Sequence, residues 1–242
     1  MDQGWEQTRP PLVTYEDLAK MIDHSLLRPE LSEEQVFEGC RIARQYNVAT
    51  VTVRPADVDL AVQWMKDSAV PVGSVVGFPH GSSTTSVKLY EARDLLRRGA
   101  REIDMVINIG KLISRQFQYI ETELAQMAEA CHQSGSILKV IFENAYLTDE
   151  LKIVASKIST RAGVDYVKTS TGFAPSGCTL EDLRLMRAHA GPNVKIKAAG
   201  GVRTLDKAIE VYQAGCSRFG ATATVTILED WKIRLQHPPA SH

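Results

Sequence analysis

Glu102-Ile103-Asp104-Met105-Val106-Ile107-Asn108 reads as a β-strand whose two faces differ in chemistry. Side chains alternate across a strand. Ile103, Met105 and Ile107 therefore share one apolar face, and Glu102, Asp104, Val106 and Asn108 share the other. The pattern returns in Ile137–Glu143, where Leu138, Val140 and Phe142 oppose Lys139, Ile141 and Glu143. It returns again around Val167, which opposes Tyr166 and Lys168, and around Val194 and Ile196, which oppose Lys195 and Lys197. Four strands in a row thus cover one face with apolar residues and leave acids and lysines on the other. The apolar face suits packing on helices, which turns the charged face inward.

Outward from these four, similar short runs stand at Met21–His24, Ala49–Val53, Val72–Val76 and Arg218–Gly220. Eight strands at a spacing of roughly 30 residues each match repeated βαβ units. Helical segments fill the gaps. Ser32 with Gln35 forms a capping box ahead of Val36, Cys40, Ala43 and Tyr46 at helical spacing. Thr148, Thr179 and Thr204 each precede another helical segment as N-caps. Strict alternation implies a parallel sheet. Eight units favour closure over an open doubly wound sheet, so the expectation is an α/β fold, a (β/α)8 barrel. Residues 14–20 form a short extra helix before it. One domain spans residues 1–242, with loose termini at 1–13 and 235–242. Its 242 residues suit a barrel of about 250.

Composition sets the broad class. The chain is 44% hydrophobic and 24% charged, with a net charge of -1, so nothing draws it to nucleic acid or an anionic membrane. No apolar run reaches the ~18 residues of a membrane span, and Met1–Pro11 lacks the apolar stretch of a secretory signal. The four cysteines, Cys40, Cys131, Cys178 and Cys216, show no Cys-x-x-Cys spacing. They read as free thiols of a cytoplasmic protein.

A barrel interior is normally filled by branched apolar side chains. Here it carries charge, which is unfavourable to bury unless paired. Glu102 and Lys139 lie deeper, where ion pairs could serve only to fill space. Asp104, Lys168 and Lys197 lie nearer the strand C-termini, where barrel active sites form. Lysine ordinarily titrates near 10.4, and lowering it to about 7 requires ~4 kcal/mol. A second ammonium ~4 Å away supplies about that much at an effective dielectric of 20, and desolvation acts in the same sense. Lys168 beside Lys197 is therefore the arrangement of a Schiff-base lysine, with Asp104 as its proton-transfer partner. Lys195 competes with Lys197, since both face inward. Glycine turns after the sixth, seventh and eighth strands (Gly172, Gly200-Gly201, Gly220) mark a phosphate site.

At these residues the chain resembles the deoxyribose-phosphate aldolase family. The resemblance rests on Glu102-Ile-Asp-Met-Val-Ile-Asn-Ile-Gly110, Asp165-Tyr-Val-Lys-Thr-Ser-Thr-Gly172 and Lys197-Ala-Ala-Gly-Gly-Val-Arg203. Ile22-Asp-His24 and Gly77-Phe-Pro-His-Gly81 support it, and it runs from about residue 20 to 231. It implies a class I aldolase without metal or cofactor. Such an enzyme cleaves 2-deoxy-D-ribose 5-phosphate to acetaldehyde and D-glyceraldehyde 3-phosphate, and works as a homodimer. By position, Lys168 matches the Schiff-base lysine, Lys197 the lysine that keeps it unprotonated, and Asp104 the aspartate of the proton relay. Asp23 matches an acid near the second lysine. Thr171, Gly172, Gly200, Gly201, Gly220 and Thr222 match substrate and phosphate contacts. Three departures stand out. Thr222-Ala223-Thr224 replaces the usual Ser-Ser, Thr52-Val-Arg-Pro55 replaces Cys-Val-Asn-Pro, and the C-terminal tail has no tyrosine.

Three other readings compete. His24 and His80 could bind a metal, although neither sits in a His-x-His or His-x-x-x-His pair. A phosphosugar isomerase would use Glu143 or Asp104 as its base, which leaves the lysine pair unexplained. A barrel that only binds sugar phosphate would have no use for that pair either.

Overall fold

The computed structural model describes residues 9–237. Helix α1 (Tyr15–Ala19) precedes β1 (Ile22–Leu26) and α2 (Glu33–Gln45). Then follow β2 (Thr50–Val53), α3 (Val58–Trp64), β3 (Val72–Val76), α4 (Thr85–Arg97) and β4 (Glu102–Val106). Two helices, α5 (Ile109–Ile113) and α6 (Phe117–Gln133), lead to β5 (Ile137–Ile141). After α7 (Asp149–Arg161) come β6 (Tyr166–Lys168), α8 (Leu180–His189), β7 (Lys195–Ala198), α9 (Leu205–Gln213), β8 (Arg218–Ala221) and α10 (Thr224–Gln236). The strands pair in parallel, each with its neighbour in sequence, and β1 closes on β8. The expected barrel is therefore present, with strand ends within a few residues of those read from alternation.

The caps explain where the helices start. Ser32 Oγ accepts from Gln35 N, and the Gln35 side chain accepts from Ser32 N. Thr148, Thr179 and Thr204 each accept from the backbone N–H three residues on. Each such cap contributes about 1 kcal/mol. The extra helix α1 is likewise boxed by Thr14 and Asp17, and the Trp231 indole of α10 donates to Thr14 O at 3.0 Å.

The outward strand residues make the hydrophobic shell. Ile103, Met105, Leu138, Val140, Val167, Ile196 and Phe219 are fully buried between sheet and helices. Each contributes roughly 1.5–3 kcal/mol by leaving water. One polar pair interrupts this shell. Lys88 of α4 donates to Glu123 of α6 and to Val106 O of β4, both at 2.9 Å, with no solvent exposure on either side chain. Inside the barrel, Asp23, Glu102, Asp104, Lys139, Lys168 and Lys197 are all buried.

Within the described residues, parts of both expected loose stretches are held in place. Residues 1–8 and 238–242 lie outside the described residues. Arg9, by contrast, is tied down through Nη1 to Tyr212 O at 3.0 Å and to Cys216 O at 2.5 Å. Leu235 and Gln236 belong to the last turn of α10.

Candidate active site

Register sets the heights of the inward residues. Asp104 pairs across from Lys139, Ile141 from Lys168, and Lys168 from Lys197. Lysines thus surround Asp104 from three strands. Lys168 and Lys197 both donate to Asp104 Oδ2 at 2.7 Å, and Lys139 Nζ lies 3.2 Å from its other oxygen. Lys197 has a second carboxylate, Asp23, at 2.5 Å. Lys139 also bonds Asp23, at 2.8 Å, and Glu102. At the N-terminal end, Arg218 closes the network. It reaches Asp23 at 2.6 Å and Glu102 at 3.2 Å.

The two lysines differ in what they can do. Lys197 is held between two carboxylates and does not reach the cavity at the barrel mouth. Lys168 has one carboxylate partner and lines that cavity, whose volume is about 210 Å³. Burial is the largest influence on Lys168 and brings its ammonium down to about 8. The charges of Lys197 and Lys139 act in the same sense, and Asp104 opposes them. Desolvation therefore leads, and the neighbouring ammonium that looks sufficient from sequence is an auxiliary. The same lysines hold the Asp104 carboxyl well below the usual range.

Lys195 is not an alternative to Lys197. Parity turns both inward, but Lys195 pairs with Tyr166 one step lower. Its side chain is exposed, with Nζ 5.6 Å from the centre of the Tyr166 ring. Glu143 is also occupied. It lies just past β5 with φ 57°, and its carboxylate accepts from the Thr171 N–H and hydroxyl. Burial pushes its carboxyl up. Glu143 thereby fastens the loop after β6, an arrangement poorly suited to an isomerase base. His24 is buried, and its Nδ1 sits 2.8 Å from Thr224 Oγ1. Burial lowers the imidazole to about 4. Among the described residues, no three His, Cys, Asp or Glu side chains converge as a metal set.

The mouth of the cavity brings together Thr171, Gly172, Gly200, Gly201, Gly220 and Thr222. Gly201 has φ +98° and open space where a Cβ would stand. Helix α10 begins beside this wall without a side-chain cap, so its first N–H groups are free to meet an anion. Of the departing triplet, Thr222 lines the cavity while the Thr224 hydroxyl turns to His24. Asp23 is not a wall residue; it acts beneath the floor. Sequence reasoning missed Arg28, Phe173 and Arg203, which also line the mouth. Arg203 follows the Gly200-Gly201 turn by two residues, a usable signal; Arg28 stands in a loop that gives none.

Known proteins resemble the chain over most of its length. The chain matches the DeoC/LacD family aldolase over residues 17–226. A deoxyribose-phosphate aldolase of Caldanaerobacter subterraneus subsp. tengcongensis is 46% identical over 89% of this chain and 94% of that one. One from Thermoanaerobacter pseudethanolicus is 44% identical over 89% and 97%. The solved deoxyribose phosphate aldolase of Aeropyrum pernix superposes with a TM-score of 0.85 at 32% identity, covering 91% of this chain and 93% of that one. Its structure is tetrameric by its description. A buried lysine pair at the mouth of a closed barrel, and these relatives over nearly the whole chain, lead to one assignment: the chain belongs to the DeoC/LacD family of aldolases.

Proposed function

We propose that the chain is a class I deoxyribose-phosphate aldolase with Lys168 as its Schiff-base residue. One observation carries the reading: of the buried lysines, Lys168 alone meets both the cavity and Asp104. Its free amine adds to the C1 aldehyde of 2-deoxy-D-ribose 5-phosphate and expels water, leaving an iminium. The iminium accepts the electrons of the breaking C2–C3 bond while the C3 hydroxyl gives up its proton. D-glyceraldehyde 3-phosphate leaves. The enamine takes a proton at C2, and hydrolysis releases acetaldehyde and the free lysine.

Asp104 is too acidic to store a proton near neutral pH. Its part is to stay ionised, hold both ammonium groups and pass the proton along hydrogen bonds. Lys197, fixed by Asp23 and Asp104, supplies positive charge beside Lys168. The phosphate rests against Gly172, Gly201, Gly220 and the start of α10, with Arg203 near it and Thr222 as the hydroxyl contact. The reading calls for no metal, since the iminium is the electron sink.

The test is reduction with borohydride in the presence of acetaldehyde, followed by peptide mapping. A two-carbon adduct on Lys168 with loss of activity is expected. An adduct on Lys197, or none from an active preparation, would reverse the assignment. Chelation should leave the rate unchanged. We further propose one folded domain, a cytoplasmic location and a homodimer. Among the described residues, no helix is long and apolar enough to cross a membrane. Light scattering checks the assembly, and the tetramer of the Aeropyrum pernix protein is the alternative outcome.

A further inference from the structure

The interior network carries more positive than negative groups. Its cations are Lys139, Lys168, Lys197 and Arg218, and the carboxylates ion-paired to them are Asp23, Glu102 and Asp104. Glu143 stands outside this network, bonded to Thr171 and pushed toward its neutral form by burial. With every group ionised the sum is one positive charge, and with Lys168 neutral the sum is zero. An enclosed, poorly solvated cluster favours the neutral total, because uncompensated charge is costly there.

We propose that Arg218, at the closed end of the barrel, is a positioning residue for the reaction: its guanidinium supplies the surplus charge that makes Lys168 release its proton. This rests on Lys168 being the Schiff-base lysine. Arg218 lies below the mouth: it starts β8, two residues before Gly220 of the cavity wall. It touches neither the cavity nor Lys168. Its influence runs through Asp23, whose Oδ1 takes Arg218 while Oδ2 is shared by Lys139 and Lys197. Without Arg218, Asp23 and Glu102 would turn their full charge on the remaining lysines, and all three lysines could then stay protonated. Arginine suits the task because it keeps its charge at any working pH, and the two carboxylates hold it further in that form.

The surroundings of both groups are known. Asp104, Lys139, Lys197 and Glu143 act on Lys168. Asp23, Glu102, Lys139 and the Tyr166 ring surround Arg218, with Lys20 near it. Strands β2 and β3 contain no charged residue. Neither Arg218 nor Glu102 is bonded to Lys168, so each can be altered without replacing a direct partner of the reacting lysine.

The experiment compares the intact enzyme with Arg218→Met, Arg218→Lys and the double variant Arg218→Met with Glu102→Gln. The pH dependence of kcat/KM and of borohydride trapping is read for each. Arg218→Met should move the acid limb to higher pH by on the order of one unit, about a tenfold loss on that limb. The adduct should still map to Lys168 at high pH. Arg218→Lys keeps the charge and should keep the limb in place. The double variant restores a surplus of one and should bring the limb back. An unmoved limb in Arg218→Met, or a shift that Glu102→Gln does not reverse, would overturn the proposal. If Arg218→Met does not fold, Glu102→Gln alone decides: it raises the surplus and should move the limb to lower pH, and an unmoved limb refutes the idea. Failure of the Schiff-base reading would look different, as no adduct on Lys168 in the unmodified enzyme.

Discussion

Replacing Lys197 by leucine should disable the enzyme at neutral pH and partly restore it at high pH. Two 2.7 Å contacts to the same Asp104 oxygen keep the Lys168 and Lys197 nitrogens within about 5.4 Å of each other. At an effective dielectric of 20, like charges at that separation repel by about 3 kcal/mol, or about two pH units. Losing the Lys197 charge also frees Asp104 to hold the Lys168 proton harder, so both effects raise the Lys168 value. From about 8, a rise of two units takes the free-amine fraction at pH 7.5 from about a quarter to about 0.3%. A fall near 80-fold in imine formation follows, and it should shrink as pH approaches 10. Asp23 keeps Lys139 and Arg218 as partners, so the variant should fold. The assay is kcat/KM against pH, which reports the free enzyme, alongside the rate of borohydride trapping. A loss of equal size at every pH would mean that Lys197 does not act through the charge of Lys168. Lys195 could not then take its place, because it lies exposed at the other end of the barrel.

Asp104→Asn should still form the trapped imine but lose about 10²–10⁴ in turnover, the usual worth of positioned proton transfer; full turnover would move that role to another group. Gly201→Asp should raise KM for 2-deoxyribose 5-phosphate far more than for 2-deoxyribose, since it puts a carboxylate into open space at the mouth; equal losses would move the phosphate elsewhere. Lys88→Met leaves Glu123 buried without its cation and should cost about 3–5 kcal/mol in urea denaturation. Lys88→Met with Glu123→Leu should recover most of that loss, and no recovery would argue that the Lys88 bond to Val106 O matters more than the pair.

Alternation told which face each residue takes, and the fold and the three central residues were legible for that reason. Asp104, Lys168 and Lys197 are charged at inward positions near strand ends, an unusual coincidence in any barrel. Height was less legible. Lys195 and Lys197 share a face, and only the pairing of Lys195 with Tyr166 separates them. Alternation also fails one step past a strand. Glu143 looks like the next inward residue of β5, yet its left-handed backbone takes it out of the ladder and onto Thr171. Arg28, Phe173 and Arg203 lie on loops, where no period exists to place them.

An interior of paired ions is weak evidence of stability, since well-packed apolar residues of like volume often do as well or better. Many of the side chains lining this barrel nonetheless carry charge, and each carboxylate is shared by at least two cations. Sharing has a consequence that simple pairing lacks. In isolated pairs, each lysine would be locked to its own acid and would titrate above its ordinary value, as Lys139 does among three carboxylates. Where cations outnumber acids, one of them must be the least compensated. That is Lys168, the member with one carboxylate and a face on the cavity. Desolvation then acts on it without full repayment, and its proton is the first to leave. The charged interior thus reads as a device for making one amine reactive, and the apolar shell outside the strands carries the stability that such an interior does not provide.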